Sequence, residues 1–391
     1  VIVSLCNFLV SIIIIRLLGV EIFGQFSFLW LFLLLINSTQ LSYIISPMLT
    51  NAPKQSRSNI NFYYGGVFCQ QLIFTSIIFF IVYFVLKFFG SYISSYQIEK
   101  YFISFPFAIV AMQLHQFFRR LLFSKKLYFR AVLCDGITYT FLIFLLIYLN
   151  HLNKLNLEII FWSFVLTFSI GTIINSPVLF SLKYSLNNTY TSIKENWIIA
   201  KWMLATALLQ WLSGNLWIVN TGIILGPFML GIVRACQTLI NITNLIFQSI
   251  ENIIPGETSQ KFSSGGINEM HIYLKKFALK GFIIVAVIAL IIIIFAEPLL
   301  NIFYGTETAN YYHLLMFLSL ILPFTFFTYA PTYGLRTLGK TKPIFISYLL
   351  STLVALTTSK FIITNFNSTD LLFISYSYFL INKFCKFIAK K

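Results

Sequence analysis

The stretch GIVRACQTLINITNLIFQSIEN, from Gly231 to Asn252, carries six strongly polar residues: Arg234, Gln237, Asn241, Asn244, Gln248 and Glu251. Their steps of 3, 4, 3, 4 and 3 place them on one face of a helix. Just upstream, Gln210, Ser213, Trp217 and Asn220 repeat the pattern at steps of 3, 4 and 3. Amides hydrogen-bond hydroxyl groups, indole rings stack on flat apolar faces, and a guanidinium can grip an oxyanion with two parallel bonds. Together these groups could line a wet surface inside a membrane. The same spacing also describes a packing seam, in which amides only glue helices together.

The rest of the chain makes such a face expensive. Of 391 residues, 58% are hydrophobic and 10% charged, against about 25% charged in soluble domains. So much apolar surface needs lipid as its solvent. Unpaired amides or charges are costly in lipid, so the two faces must meet each other or water. The five cysteines, Cys6, Cys69, Cys134, Cys236 and Cys385, fall in apolar stretches and read as small core residues. The four histidines show no metal-ligand spacing. No Gly-x-Ser-x-Gly, phosphate-binding loop or His-Glu-x-x-His is present, so neither catalytic nor metal residues are assigned and no cofactor is expected.

Twelve apolar runs are long enough to span: about 1–18, 24–46, 65–89, 101–118, 131–149, 158–181, 202–225, 228–253, 278–296, 311–335, 343–363 and 370–388. Val1 already lies inside the first run, so that span is expected to be truncated, and no cleavable signal peptide is seen. With the N-terminus in the cytoplasm, 21 of the 27 Lys and Arg residues fall on cytoplasmic connections or the C-terminal tail. The positive-inside rule then places both termini in the cytoplasm. The net charge of +16 is mostly topology and needs no nucleic acid.

The chain also repeats itself weakly. LLGVEIFGQF joins spans 1 and 2, and ILGPFMLGIV joins spans 7 and 8; Gly19 and Gly24 match Gly226 and Gly231, 207 positions on. Arg120, Lys126 and Phe129 match Arg336, Lys342 and Phe345, 216 positions on. This suggests two six-helix halves, 1–190 and 191–391, in parallel orientation about an axis along the membrane normal. In the first half, the positions matching Arg234, Gln237, Asn241, Asn244 and Gln248 are Ser27, Trp30, Leu34, Asn37 and Leu41, a more apolar wall.

The segment IIIIRLLGVEIFGQFSFL, with Arg16, Leu18, Gly19, Glu21, Phe23, Gly24 and Phe26, resembles the first hairpin of the polysaccharide (O-antigen, Wzx-like) flippases of the multidrug/oligosaccharidyl-lipid/polysaccharide, MATE-like superfamily. The basic connection FFRRLLFSKKLYFRA and the layout of spans are similar too. The resemblance implies an all-α integral membrane protein, V-shaped around a central cavity lined by spans 1, 2, 7 and 8. It also implies a polyprenyl-diphosphate-linked oligosaccharide as substrate in the bacterial cytoplasmic membrane, with other polysaccharide-assembly membrane proteins as candidate partners. Arg234, Gln237, Asn241, Asn244, Gln248, Gln210, Trp217, Asn220 and Arg16 become the candidate substrate contacts.

Arg119, Arg120, Lys125, Lys126 and Arg130 crowd one cytoplasmic turn, with Arg336 in the matching turn. They read either as topology and anionic membrane-lipid contact or as capture of a lipid diphosphate head group. Asp135 and Glu251 are the candidate sites for a coupling ion, H+ or Na+; the plainer reading pairs Asp135 with Arg130 or Lys126, and Glu251 with a cytoplasmic lysine. Arg16 reads equally as an interfacial cation. Pro106, Pro177, Pro323 and Pro331 are expected to kink spans 4, 6 and 10. Two competing functions remain: a cation-coupled drug exporter, which calls for an acidic cavity, and a polysaccharide polymerase, which calls for large charged outer loops.

Overall fold

The computed structural model describes residues 2–56, 58–340 and 342–365, and side chains among these except at 2, 94, 242, 244–253 and 358–365. The expected twelfth span and the basic residues Lys383 to Lys391 lie outside the described residues. So do the side chains of Asn244, Gln248 and Glu251. All regular structure among the described residues is helical. The first helices are α1 (Ile2–Leu18), α2 (Val20–Gln40), α3 (Ser46–Asn51), α4 (Ile60–Phe89), α5 (Ser104–Ser124), α6 (Tyr128–His151) and α7 (Leu157–Asn175). Then come α8 (Leu186–Ile240), α9 (Asn244–Ile294), α10 (Ala296–Tyr304), α11 (Thr306–Ala309), α12 (Tyr312–Phe327), α13 (Tyr329–Thr337) and α14 (Lys342–Asn365).

Seven helical stretches among the described residues are long and apolar enough to cross a membrane, and Val3–Leu18 and Lys342–Thr357 are shorter apolar helices. The difference from the expected count comes partly from fusion. Spans 7 and 8 share α8, which bends at Gly226 (φ 84, ψ 177). The connection 254–277 is helical and belongs to α9, broken at Gly265 and Gly266. The prolines correct the expected kinks. Pro106 sits in the first turn of α5, and Pro177 in the short turn that ends α7. Both are places where a missing N–H is tolerated. Pro323 is inside α12, while Pro331 opens α13 after the break at Thr328.

The chain divides into two compact units: residues 1–18 with 25–211, and residues 19–24 with 212 onward. In the first, α5 packs on α4, α6 and α7, and α1 packs on α6. Its core joins Tyr63, Tyr64, Phe117, Phe118, Leu121 and Leu122. Ile77, Phe80, Ile81, Phe84 and Phe88 of α4 stay exposed, as lipid-facing positions should. In the second unit, α12 and α13 pack along α9, with Phe326, Tyr333, Met270 and Val285 buried.

The second unit also holds the segment Gly19–Gly24, and here the repeat becomes physical. Gly19 (φ 91) and Gly226 (φ 84) both turn the chain through positive φ, which glycine adopts without a steric penalty. A Cβ on Gly24 would overlap the Pro227 carbonyl oxygen, and a Cβ on Gly231 would overlap the Val20 carbonyl oxygen. Val20 and Pro227 are themselves 207 positions apart, as Gly24 and Gly231 are. The contact is therefore its own image under the sequence offset, a small-residue crossing of the kind that lets helix backbones touch.

The second match is shifted. After α5, the amides of Lys125, Lys126 and Leu127 donate to the carbonyls of Leu121, Phe123 and Leu122. After α13, the amides of Leu338, Gly339 and Lys340 donate to those of Gly334, Arg336 and Leu335. The residues at positive φ are Lys126 (φ 62) and Gly339 (φ 68). The same cap thus recurs 213 positions on, and Arg336 corresponds to Phe123 rather than Arg120. Basic residues are interchangeable on a charged turn, whereas the left-handed position fixes register.

Gly24→Ala and Gly231→Ala are each expected to lower the thermal unfolding temperature of the detergent-solubilised protein, overpacking typically costing about 1–3 kcal/mol. Gly136→Ala, where an added Cβ meets nothing within 4 Å, is expected to leave it unchanged or raise it.

Candidate functional site

On α8 beyond Pro227, the face carrying the polar row is the less buried one. Arg234 and Gln237 are half-buried and Asn241 is exposed, while Ala235, Cys236 and Leu239 are buried. Arg234 Nη1 donates to Gln237 Oε1 at 3.0 Å, which holds the guanidinium along the helix surface. The row does not run on an unbroken helix. Asn241–Thr243 form a tighter turn before α9 begins at Asn244. Upstream on α8, Gln210 is exposed, Asn220 half-buried, and Ser213 and Trp217 buried. Arg16 and Arg336 are exposed at the last turns of α1 and α13. Arg119 and Arg120 are half-buried at the end of α5, as is Lys125 at its C-cap.

The first unit contains a node that sequence reading found only in part. Asp135 on α6 is 6% exposed. Its Oδ2 lies 3.0 Å from Arg119 Nε on α5, and its Oδ1 lies 3.9 Å from His115 Nε2. The approach of Arg119 Nε is ionic rather than a directed hydrogen bond. The expected partners are elsewhere: Arg130 Nη2 donates to the Ile174 carbonyl at 3.2 Å, and Lys126 is exposed in the turn. Five residues along a helix rotate by about 140°, so Arg130 and Asp135 leave α6 on different sides. His115, 1% exposed, stands between Thr138 Oγ1 at 3.4 Å and Cys134 Sγ at 3.7 Å, and its edge meets the Phe168 ring. Gly171 makes the room, since a Cβ there would strike Thr138 and His115. His115 Nδ1 has no hydrogen-bond partner.

The same unit carries amide chains. Gln40 Nε2 donates to Gln71 Oε1 at 3.0 Å and to the Gln113 carbonyl at 2.8 Å. Gln71 Nε2 reaches Thr75 Oγ1 at 2.7 Å, and Gln113 Nε2 donates to Asn37 Oδ1. Apart from the local Gln71–Thr75 bond, these links join residues 31 to 76 positions apart, and no periodicity in one sequence reveals them. Intramembrane glutamines at Gln70, Gln71 and Gln113 were the available signal. Trp30 stacks on Phe26 at 5.3 Å in an aromatic cluster with Phe164.

The basic turn after α5 is less open than its composition suggests. Lys125 Nζ donates to Ser181 Oγ at 2.7 Å and lies 5.3 Å from the Tyr64 ring centre, and burial pulls its ammonium below its ordinary pKa. With Arg119 held by Asp135, Lys126 is the exposed cation of the five. Among the described residues, no group of three or more His, Cys, Asp or Glu is placed to hold a metal ion.

The family model described as MatE matches residues 203–359, less than half of the chain. No curated protein matches the sequence. Among solved structures, the chain is similar to the lipid II flippase MurJ in an inward closed conformation, with TM-score 0.72 and 12% identity over 99% of this chain and 85% of that one. It is similar to an inward-facing multidrug resistance MATE family transporter of the MOP superfamily, with TM-score 0.79 and 10% identity over 99% and 92%. It is also similar to a MOP superfamily transporter from Pyrococcus furiosus described by the reversed polarity of its binding pocket, with TM-score 0.61 and 11% identity over 99% and 91%. The chain therefore has the fold of these membrane transporters and is a multi-pass membrane protein.

The Arg119–Asp135 pair is testable alone. Removing one partner of a fully buried pair costs roughly 3–5 kcal/mol, less here because Arg119 is part exposed. Asp135→Asn is expected to lower the unfolding temperature, and Arg119→Gln combined with Asp135→Asn to recover most of the loss, in a double-mutant cycle read by thermal unfolding.

Proposed function

We propose that the protein flips a polyprenyl-diphosphate-linked oligosaccharide, an O-antigen or other surface polysaccharide unit, across the bacterial cytoplasmic membrane by alternating access, with both termini in the cytoplasm. The observation that carries this reading is Arg234: a fixed positive charge, half-buried within a membrane-spanning segment and hydrogen-bonded to Gln237. A cation in that setting suits an anionic head group, and neighbouring amides suit sugar hydroxyls. Gln210, Trp217, Asn220, Asn241, Asn244 and Gln248 extend the polar surface, and Arg16 would meet the diphosphate near the exit. Lys126, with Arg119, Arg120, Lys125 and Arg336 nearby or in the matching turn, would meet it on the cytoplasmic side.

The alternative, a MATE-like cation-coupled exporter of drugs or other small molecules, calls for an uncompensated acid. Asp135 already holds Arg119 at 3.0 Å, so its charge is met from within the protein. A polymerase calls for a large charged outer loop, yet residues 297–313 form two short helices and contain no Lys or Arg. For coupling, H+ fits Asp135 better than Na+. Hard cations take oxygen ligands, whereas the ion-pair partners of Asp135 among the described residues are the nitrogens of Arg119 and His115. Glu251 remains the other candidate.

Arg234→Ala is expected to reduce flipping of a fluorescent polyprenyl-diphosphate oligosaccharide in proteoliposomes at least tenfold, about 1.4 kcal/mol or more. Arg234→Lys should retain part of the activity, and membrane abundance should not change. Unchanged flipping by Arg234→Ala would remove the residue from the mechanism. Efflux of an organic cation in the same vesicles, without flipping, would favour the exporter.

A further inference from the structure

The first part of α8, Leu186–Lys201, is a helix with its polarity reversed. Its inward side carries Ser192, Asn196 and Ala200, all buried and four residues apart. Asn196 is the pin: its Oδ1 accepts from Asn51 Nδ2 at 3.1 Å and from Tyr63 OH at 2.8 Å, and its Nδ2 donates to Gln70 Oε1 at 3.2 Å. Ser192 fills the space over Gly66, where a Cβ would come within 2.7 Å of its Oγ. Glu195, the one acid between 180 and 202, accepts from Gln55 Nε2 at 3.2 Å. The polar groups thus face the first unit, which fixes the rotation of the helix about its axis.

The outward side is aromatic, apolar and basic. Leu186 is 90% exposed, Tyr190 70%, Ile198 65% and Trp202 70%. At about 100° per residue, Lys194 and Lys201 fall in the middle of this arc, with Tyr190 and Trp197 on one flank and Ile198 and Trp202 on the other. Lys201 Nζ lies 5.9 Å from the Trp202 ring centre, and Lys183, just before the helix, lies 5.4 Å from the Phe62 ring. Such a face is unfavourable against water alone, because large apolar side chains stay wet. It is equally unfavourable in hydrocarbon, because lysines lose hydration. A membrane–water interface satisfies both, since indole and phenol rings sit at head-group depth and ammonium groups reach lipid phosphates.

We propose that Leu186–Lys201, flanked by Lys183 and Trp202, is an interfacial helix that binds anionic phospholipid, with its aromatic side chains at the acyl–head-group boundary and Lys183, Lys194 and Lys201 on lipid phosphates. The charge of the face selects anionic over zwitterionic lipid. The amide pin at Asn196 makes the face a property of the folded first unit rather than of a floppy connection.

The test uses the full chain. A fluorescent label on Tyr190→Cys or Ile198→Cys, after removal of the native cysteines, should be quenched in vesicles whose lipids are brominated high on the acyl chain. Phosphatidylglycerol binding, titrated in detergent by native mass spectrometry, should weaken about fivefold per lysine removed, or on the order of 100-fold in K183Q/K194Q/K201Q. The unfolding temperature in detergent without added lipid should stay unchanged in that variant, because these lysines lie on the outer face. Equal phosphatidylglycerol affinity in the folded triple variant would overturn the proposal. So would labels at 190 and 198 that escape bromolipid quenching, or equal affinity of the wild type for phosphatidylcholine.

Discussion

Two glycines permit the contact on which the second unit is built. At Gly24 and Gly231, helix backbones approach closely enough that a single methyl group on either would meet a carbonyl oxygen. Each glycine lies four residues after the residue that the other one touches, and the four positions form two pairs separated by 207. Gly19 and Gly226 supply the positive-φ turns that feed the two segments into this crossing. Lipid offers little hydrophobic drive between helices, so close backbone packing has to supply the attraction. Arg234 follows Gly231 by three residues and Asn241 by ten. The crossing therefore fixes where the polar row of α8 beyond Pro227 begins.

The second constraint is the cost of polar groups away from water. The first unit meets it by pairing amides with amides across helices and by giving Asp135 its own cation. That internal pairing makes the node a poor site for a free cation, and the half-buried Arg234 becomes the more informative charge. The same logic explains the inverted helix at Leu186–Lys201. There the polar side is spent on the protein, and the apolar, basic side is left for the membrane surface.

Much of this architecture could be read from sequence. Hydropathy found the apolar helices, because each must satisfy its own backbone hydrogen bonds, but not their number, since spans 7 and 8 share one helix. The 207-residue offset was legible because the positive-φ turns at Gly19 and Gly226 favour glycine and the close approach at Gly24 and Gly231 admits no Cβ. The 216-residue match was misread by three, since it rested on basic residues, which carry no register. The polar row was legible as far as Gln237 because helical period is local, but the tight turn at Asn241–Thr243 leaves no periodic signal. The Arg119–Asp135–His115 node was half seen: Asp135 stood out as an intramembrane acid. Its partners lie on another helix, and no local rule points from one to the other. The pin at Asn196 joins residues up to 145 positions apart and was not visible.

The central claim is that the Arg234 face of α8 lines a wet path for an anionic, sugar-bearing lipid. The most direct measurement is cysteine accessibility in native-cysteine-free protein carrying a single cysteine at 235, 237, 239 or 241, reconstituted in lipid vesicles. The account predicts that a charged, membrane-impermeant thiol reagent labels 237 and 241 but not 235 and 239. It also predicts that polyprenyl-diphosphate oligosaccharide protects the labelled positions. Failure to label 237 and 241 from either side of the membrane would contradict it and leave these amides as interhelical glue.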